Sequence, residues 1–279
     1  MNKKGTIFDC TLFVCLHSVG KPLEKLPKRM NERFLDLFSE ISLNNMESTR
    51  LMNRVDTKYI FRRENLPEIL NKIQPYYHVL QLQSKRVFRY DTLYFDTPER
   101  LFYNQHLCGK LNRYKIRTRH YVETNTHYFE VKWKNNKRRT IKKRVELEDI
   151  SEEICPKSRL LLHQTMTDIP LDLEPTVWVY YHRFTLVNKQ TPERLTFDLN
   201  LWFRWQNHSA AYPHLIVAEA KQPKLFQSPF ISLMKEIGVR EGGLSKYCLG
   251  LLNLEPNIKS NLFKPMLARI NQLNDYRKN

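Results

Sequence analysis

The sequence predicts an α+β fold, mostly antiparallel β: an eight-stranded sheet closed into a tunnel or barrel with a charged interior, and helices packed outside. Three observations lead there. Segments of period two recur between residues 54 and 221, many of them joined by short connections, as in a sheet that closes on itself. Six of them carry acidic or basic side chains in phase on one face, while apolar residues hold the other. Finally, 279 residues with 15 Phe and 14 Tyr can bury one large core and do not read as a disordered chain.

The elements follow in order. Residues 7–19 are apolar after two lysines, but Asp9 interrupts them and no small-residue cleavage site follows, so they read as part of an N-terminal extension rather than a secretion signal. Residues 28–46 place Phe34, Leu35, Leu37, Phe38, Ile41 and Leu43 at helical spacing, which predicts an amphipathic helix in that extension, residues 1–46. From residue 51 the period changes to two, and residues 54–61 alternate charged with apolar side chains as a strand does. A short helix is expected over 64–74, then a strand over 87–95 that ends at Pro98, which cannot continue a ladder. Further strands are expected over 112–121, 126–133, 140–147, 176–186, 195–203 and 215–221, with Asn135-Asn136-Lys137 as a hairpin turn. A helix over 228–237 and a polar helix near 262–277, in a C-terminal tail of residues 254–279, complete the chain. The main domain then spans 47–253. No run reaches the length of a membrane span.

Composition excludes several function classes. The balance of 46 Lys plus Arg against 29 Asp plus Glu gives a net charge of +17, so the chain attracts polyanions, with nucleic acid, anionic lipid, nucleotides and polyphosphate all candidates. Seven glycines, none in a GxGxxG or GxxxxGK[ST] pattern, argue against a dinucleotide-binding fold and a P-loop. Bound phosphates must therefore be held by side chains. Five scattered cysteines without a CxxC pair suggest neither a disulfide framework nor zinc, and fit a reducing, cytoplasmic compartment.

Side chains two apart on a strand point the same way, so Arg54, Asp56 and Lys58 project together, as do Lys115, Arg117 and Arg119. The same holds for Glu130 with Lys132, Lys142 with Arg144, Tyr181 with Arg183, and Glu219 with Lys221. One such pair is ordinarily a solvated surface pair. Six strands with the same habit point instead to a barrel of inverted polarity, in which Arg and Lys hold phosphate oxygens and a few carboxylates hold a hard cation. A simple polyanion binder has no use for carboxylates in phase with its lysines, because they repel the ligand.

In order along the chain, Arg54-x-Asp56-x-Lys58-Tyr59, Tyr94-Phe95-Asp96-Thr97-Pro98, Lys115-Ile116-Arg117-Thr118-Arg119 and Phe129-Glu130-Val131-Lys132 are followed by Tyr181-x-Arg183, Leu195-Thr196-Phe197-Asp198, Ala218-Glu219-x-Lys221 and Ser245-Lys246-Tyr247. This ordered set resembles the VTC domain, the polyphosphate polymerase branch of the CYTH-like triphosphate tunnel metalloenzymes, over residues 47–253. The resemblance implies an eight-stranded tunnel that transfers the terminal phosphate of a nucleoside triphosphate, in the first place ATP, to a growing polyphosphate chain with Mn²⁺ or Mg²⁺. It implies Lys58, Arg117, Arg119, Lys132 and Lys221 at the reacting phosphates, and Arg54, Lys115, Arg144, Arg183, Lys246 and Tyr181 as further phosphate-binding residues. Glu219 is the leading metal ligand, followed by Glu130, Asp56 and Asp198. The wider superfamily opens with Glu-x-Glu-x-Lys, whereas Arg54 stands at the first position here, a departure that argues against a second metal and purely hydrolytic chemistry. A triphosphate or tripolyphosphate hydrolase in the same tunnel is the alternative, and a non-catalytic polyphosphate- or RNA-binding module is a third. Phosphate-chain ligands are favoured over nucleic acid, and any membrane-protein partner that receives the polymer is not written in the sequence.

Overall fold

The computed structural model describes residues 32–49, 54–136, 140–166 and 172–275. Its strands are β1 (Glu40–Ile41), β2 (Val55–Arg62), β3 (Tyr77–Leu80), β4 (Phe88–Asp96), β5 (Arg113–Tyr121), β6 (Thr126–Lys134), β7 (Thr140–Leu147), β8 (Glu174–Asn188), β9 (Arg194–Trp205), β10 (His208–Tyr212) and β11 (Leu215–Gln222). The helices are α1 (Leu66–Ile73), α2 (Leu101–Leu107), α3 (Pro156–His163), α4 (Pro229–Glu236), α5 (Lys246–Leu254) and α6 (Lys264–Asn274). All eleven strands belong to one sheet, whose main path runs β2-β11-β9-β8-β4-β5-β6-β7 with antiparallel neighbours throughout. β1 pairs in parallel with β3.

The ladder does not close. Among the described residues β2 and β7, the ends of the path, make no pairing with one another, so the expected closed barrel is realised here as an open sheet, with β2 bridged at Tyr59 to Glu241 on its outer side. β7 carries Lys142, Lys143, Arg144 and Glu146 exposed, a composition that discourages edge pairing. The sheet nevertheless curls. Glu219 on β11 and Lys132 on β6 lie five strands apart on the path, a separation of about 24 Å in a flat sheet, yet each shifts the other's ionisation.

The two faces differ as the alternation predicts. On the convex face Tyr59, Phe61, Phe184, Phe197, Ala218 and Ala220 form one core with Ile69 and Leu70 of α1 and Phe230 and Met234 of α4. Farther along the same face Phe95, Ile116, Phe129 and Val131 pack with Leu162 of α3. The concave face keeps the ionisable residues. α1, α3 and α4 cover the apolar outside, whereas α5 and α6 pack against apolar residues of the concave face, among them Val177, Phe203 and Ile60, so the expectation that all helices lie outside is met only in part.

The expected amphipathic helix over 28–46 lies partly outside the described residues. What is described there is a 3-10 turn at Glu32–Leu35, the short strand β1 and a second 3-10 turn at Asn44–Thr49. Leu35 and Phe38 are buried, but Leu37 and Leu43 are exposed, so the apolar residues serve two environments instead of one helix face. The 39–41 backbone also has an outlet other than helix: Ser39 O accepts from Val79 and Ile41 O accepts from Gln81. Among the described residues no helix is long and apolar enough to cross a membrane.

Candidate functional site

Strand register assembles the concave face. Lys58 stands opposite Glu219, and Asp56 opposite Lys221. Across β9 and β8, Asp198 stands opposite Arg183; across β5 and β6, Arg117 opposite Glu130 and Lys115 opposite Lys132. Lys142 and Arg144 extend the row on β7. The sequence-derived residues carried by seven of the eight strands on the main path thus share one surface.

The carboxylates are each gripped by cations. Glu130, wholly buried, receives Arg117 Nε at 2.7 Å and Nη2 at 2.6 Å on Oε2, with Lys142 on Oε1. Burial pushes its carboxyl up, but Arg117, Arg119 and Lys142 outweigh this and hold it well below the usual range. Asp198 takes a two-pronged contact from Arg183, Nε to Oδ1 at 2.5 Å and Nη2 to Oδ2 at 2.8 Å, and also pairs with Lys246. Against burial, these cations bring it down to about 2. Glu219 lies between Lys58 at 3.0 Å and Lys221 at 2.6 Å and is likewise held well below the ordinary carboxylate value, mainly by these lysines against burial. Lys58 in turn feels Glu219, Asp56 and Asp198, which outweigh its burial and raise it.

Two lysines have no such partner. Lys115 donates to Ser245 Oγ at 2.9 Å and makes no ion pair; Lys132 makes neither a hydrogen bond nor an ion pair among the described residues. Burial lowers both, and takes Lys132 down to about 7, with Lys115 and Arg117 adding to the effect against the pull of Glu219 and Asp56. Lys221 falls to about 8, chiefly by burial, although Glu219 pulls it up.

Arg54 is exposed and donates Nε to Asp56 at 2.8 Å, while Arg144 lies 4.3 Å over the Tyr128 ring on exposed β7. Lys246 is the first residue of α5. Ser245 caps that helix by accepting the Cys248 N–H, and Lys246 Nζ reaches Asp198 and lies 4.9 Å over the Tyr181 ring. The next residue fixes the helix. Tyr247 donates its hydroxyl to the buried carboxylate of Asp96, which also accepts the N–H groups of Thr97, Phe102 and Tyr103 at 2.8 Å each. Tyr247→Phe keeps the stack on Tyr94, with centroids 5.1 Å apart, but removes that donor. The expected cost is on the order of 2 kcal/mol, measured by denaturant unfolding, and an unchanged midpoint would contradict the anchoring role.

Sequence reasoning missed Arg194, whose side chain is on the Thr196–Asp198 face and whose buried Nε has no hydrogen-bond partner. The signal was there: Arg194-x-Thr196-x-Asp198 has period two, but the strand was expected to begin one residue later. It also missed Tyr90 and Tyr94 on β4, because aromatic residues on a strand normally belong to a core. His182 bonds Asn200 rather than joining Asp198, as its phase predicts.

Among the described residues no group of three or more His, Cys, Asp or Glu side chains gathers into a metal cage. The donor set suits a cation of the Mg²⁺ type, which uses one or two carboxylates and takes its other oxygens from phosphates and water. Glu219 with its diagonal neighbour Asp56 fits that mode. Glu219 also has each oxygen on a lysine, but Glu130 and Asp198 are held by arginine as well as lysine, and the planar arginine contacts fit that mode poorly.

The site is thus a curled antiparallel sheet whose concave face gathers basic side chains around a few carboxylates. Residues 53–255 match the VTC domain, and the chain belongs to the VTC domain family. Similar solved structures include a protein of Vibrio parahaemolyticus described as an adenylate cyclase, at 11% identity and TM-score 0.42, covering 71% of this chain and 98% of that one. Another is a Hippeastrum protein described as a candidate adenylyl cyclase with a dominant triphosphatase activity, at 11% identity and TM-score 0.41, covering 70% and 94%. A conserved hypothetical protein of Pyrococcus furiosus is similar at 14% identity and TM-score 0.38, covering 75% and 99%. No curated protein sequence matches the chain significantly.

Proposed function

We propose that this domain is a metal-dependent polyphosphate polymerase that transfers the terminal phosphate of a nucleoside triphosphate, in the first place ATP, to a growing polyphosphate chain held on the concave face. The observation that carries this reading is the pair Lys115 and Lys132, directly opposed across β5 and β6 without a carboxylate partner for either among the described residues. Like charges placed opposite one another on a sheet are destabilising. A polyanion lying between them removes that penalty, and membership of the VTC family makes a phosphate chain the polyanion of choice.

Phosphoryl transfer needs positioning and charge neutralisation more than a covalent intermediate on the protein. Arg119 offers its fork to phosphate oxygens, and Arg117 and Arg183 the N–H groups that Glu130 and Asp198 leave over; Lys58, Lys115, Lys132, Lys221 and Lys246 offer mobile point charges. The nucleophile is a terminal phosphate oxygen of the chain, already anionic, so no general base is required. Mn²⁺ or Mg²⁺ held by Glu219 with Asp56 would supply neutralisation of charge on the phosphates. Arg54, Arg144, Arg194 and Tyr181 extend the binding face.

Incubation with ATP and Mn²⁺ tests the proposal. Long polyphosphate resolved on a gel is the expected product. Orthophosphate alone would assign the site to triphosphate hydrolysis, and phosphate-chain binding without turnover would assign it to a binding module.

A further inference from the structure

The concave face holds an aromatic band that the phosphate-binding reading has not used. Tyr90 on β4 stacks on Tyr181 of β8 with centroids 5.1 Å apart and 10° between planes, and meets Tyr121 of β5 edge-on at 5.0 Å. Two guanidinium groups flank it from opposite neighbours: Arg183 at 5.1 Å and Arg119 at 5.5 Å from its ring centroid. Arg119 also lies 5.9 Å from the Tyr121 ring.

The arginines differ in how their donors are used. Arg117 places Nε and Nη2 on Glu130 and Nη1 on the Tyr94 hydroxyl at 3.1 Å, and Arg183 places Nε and Nη2 on Asp198. Arg119 makes one hydrogen bond, from Nε to Thr92 Oγ1 at 3.2 Å, and its nearest carboxylate oxygen, on Glu130, is 3.8 Å from Nη1. A carboxylate orients an arginine by consuming its N–H groups. An aromatic face orients it through the ring quadrupole and leaves those groups directed elsewhere.

Resting on the phosphate-chain reading above, we infer that Tyr90 is a positioning residue that holds Arg119 and Arg183 by its π face, so that the Arg119 fork is presented intact to a phosphate oxygen. Tyr90 need not touch the substrate. Its aromatic ring carries the role, and its hydroxyl does not.

Two measurements test this on the full chain. Inorganic tripolyphosphate with Mn²⁺ is titrated by calorimetry into wild type, Tyr90→Phe, Tyr90→Leu and a protein with multiply fluorinated phenylalanine at position 90. Phe should bind within about twofold of wild type; Leu and the fluorinated ring, which keeps its shape but loses π density, should each bind about tenfold more weakly. Equal affinity across all four would overturn the inference. Independently of any ligand, NMR of the guanidinium Nε–H groups should show restricted rotation of Arg119 in wild type and Tyr90→Phe, and faster rotation in the fluorinated variant. Unchanged rotation there would also overturn it. A wild type that fails to bind tripolyphosphate yet shows this rotational pattern would refute the phosphate-chain reading while supporting the role of Tyr90. Because the fluorinated variant preserves packing, a folding failure of Tyr90→Leu does not remove the test.

Discussion

Lys132→Met is expected to stabilise the fold while removing most of its affinity for phosphate chains. The substitution keeps the side chain's length and takes one charge from a pair of lysines that face each other across β5 and β6. Relief of that repulsion and of an uncompensated charge withdrawn from water is worth on the order of 1 kcal/mol, a rise in Tm of about 2–4 °C in a domain of this size. The loss of a charge-assisted contact to phosphate should lower kcat/KM on the order of 100-fold. Opposite signs for stability and activity separate a binding cation from a structural one: a lysine needed for folding would lose both together.

The same lysine gives a pH dependence of fixed sign. Its folded-state value, about 7, lies below the ordinary lysine value of 10.5, so the unfolded chain binds more protons between these limits. Stability contributed by this group therefore rises with pH across that window, and the penalty is complete below about 7. The Met variant should lose that rise. A bound polyanion favours the protonated form, so tripolyphosphate binding near pH 8 should take up protons and weaken as pH increases, with Lys221 contributing near 8. Calorimetry in buffers of different ionisation enthalpy reads the proton uptake. No uptake in wild type would place these lysines away from the ligand.

How far this site could be read from sequence depended on whether a residue's role followed from its phase. Arg117, Glu130, Lys58 and Glu219 were legible because a strand repeats every two residues and so sorts side chains by face without tertiary information. The N-terminal segment was misread as a helix, because its apolar spacing says nothing of a β1 partner at residues 79 and 80. β10 was missed, since His208-Ser209-Ala210-Ala211-Tyr212 has no apolar alternation and pairs with β9 through its backbone. α5 was concealed by Gly250, a poor helix former. Its presence is explained by packing: a Cβ there would sit 2.9 Å from both Phe203 and Val177. Closure of the sheet depends on how far it curls, which no single strand records.

Glu219→Gln is expected to reduce metal-dependent turnover on the order of 100- to 1,000-fold while leaving phosphate binding in place, or strengthening it when metal is absent. The argument rests on which cations hold each carboxylate. Glu130 and Asp198 are fixed by arginine forks, whose planar geometry locks both partners. Glu219 is held by Lys58 and Lys221, flexible point charges that can turn to incoming phosphate oxygens and release the carboxylate for a cation. Glutamine retains an oxygen that can accept from Lys221 but contributes no charge, so both lysines become more available to the ligand. Because the folded-state ionisation of Glu219 is depressed, its contribution to stability is present above the unfolded carboxylate value and is lost as pH falls through the folded one. Loss of that pairing should lower stability at neutral pH on the order of 3 kcal/mol, since Lys221 is left only 5% exposed without its counter-charge. Turnover with Mn²⁺, metal-free tripolyphosphate titration and urea unfolding together decide the role. Undiminished turnover would remove Glu219 from the metal site, and loss of metal-free binding would make it a structural counter-ion only.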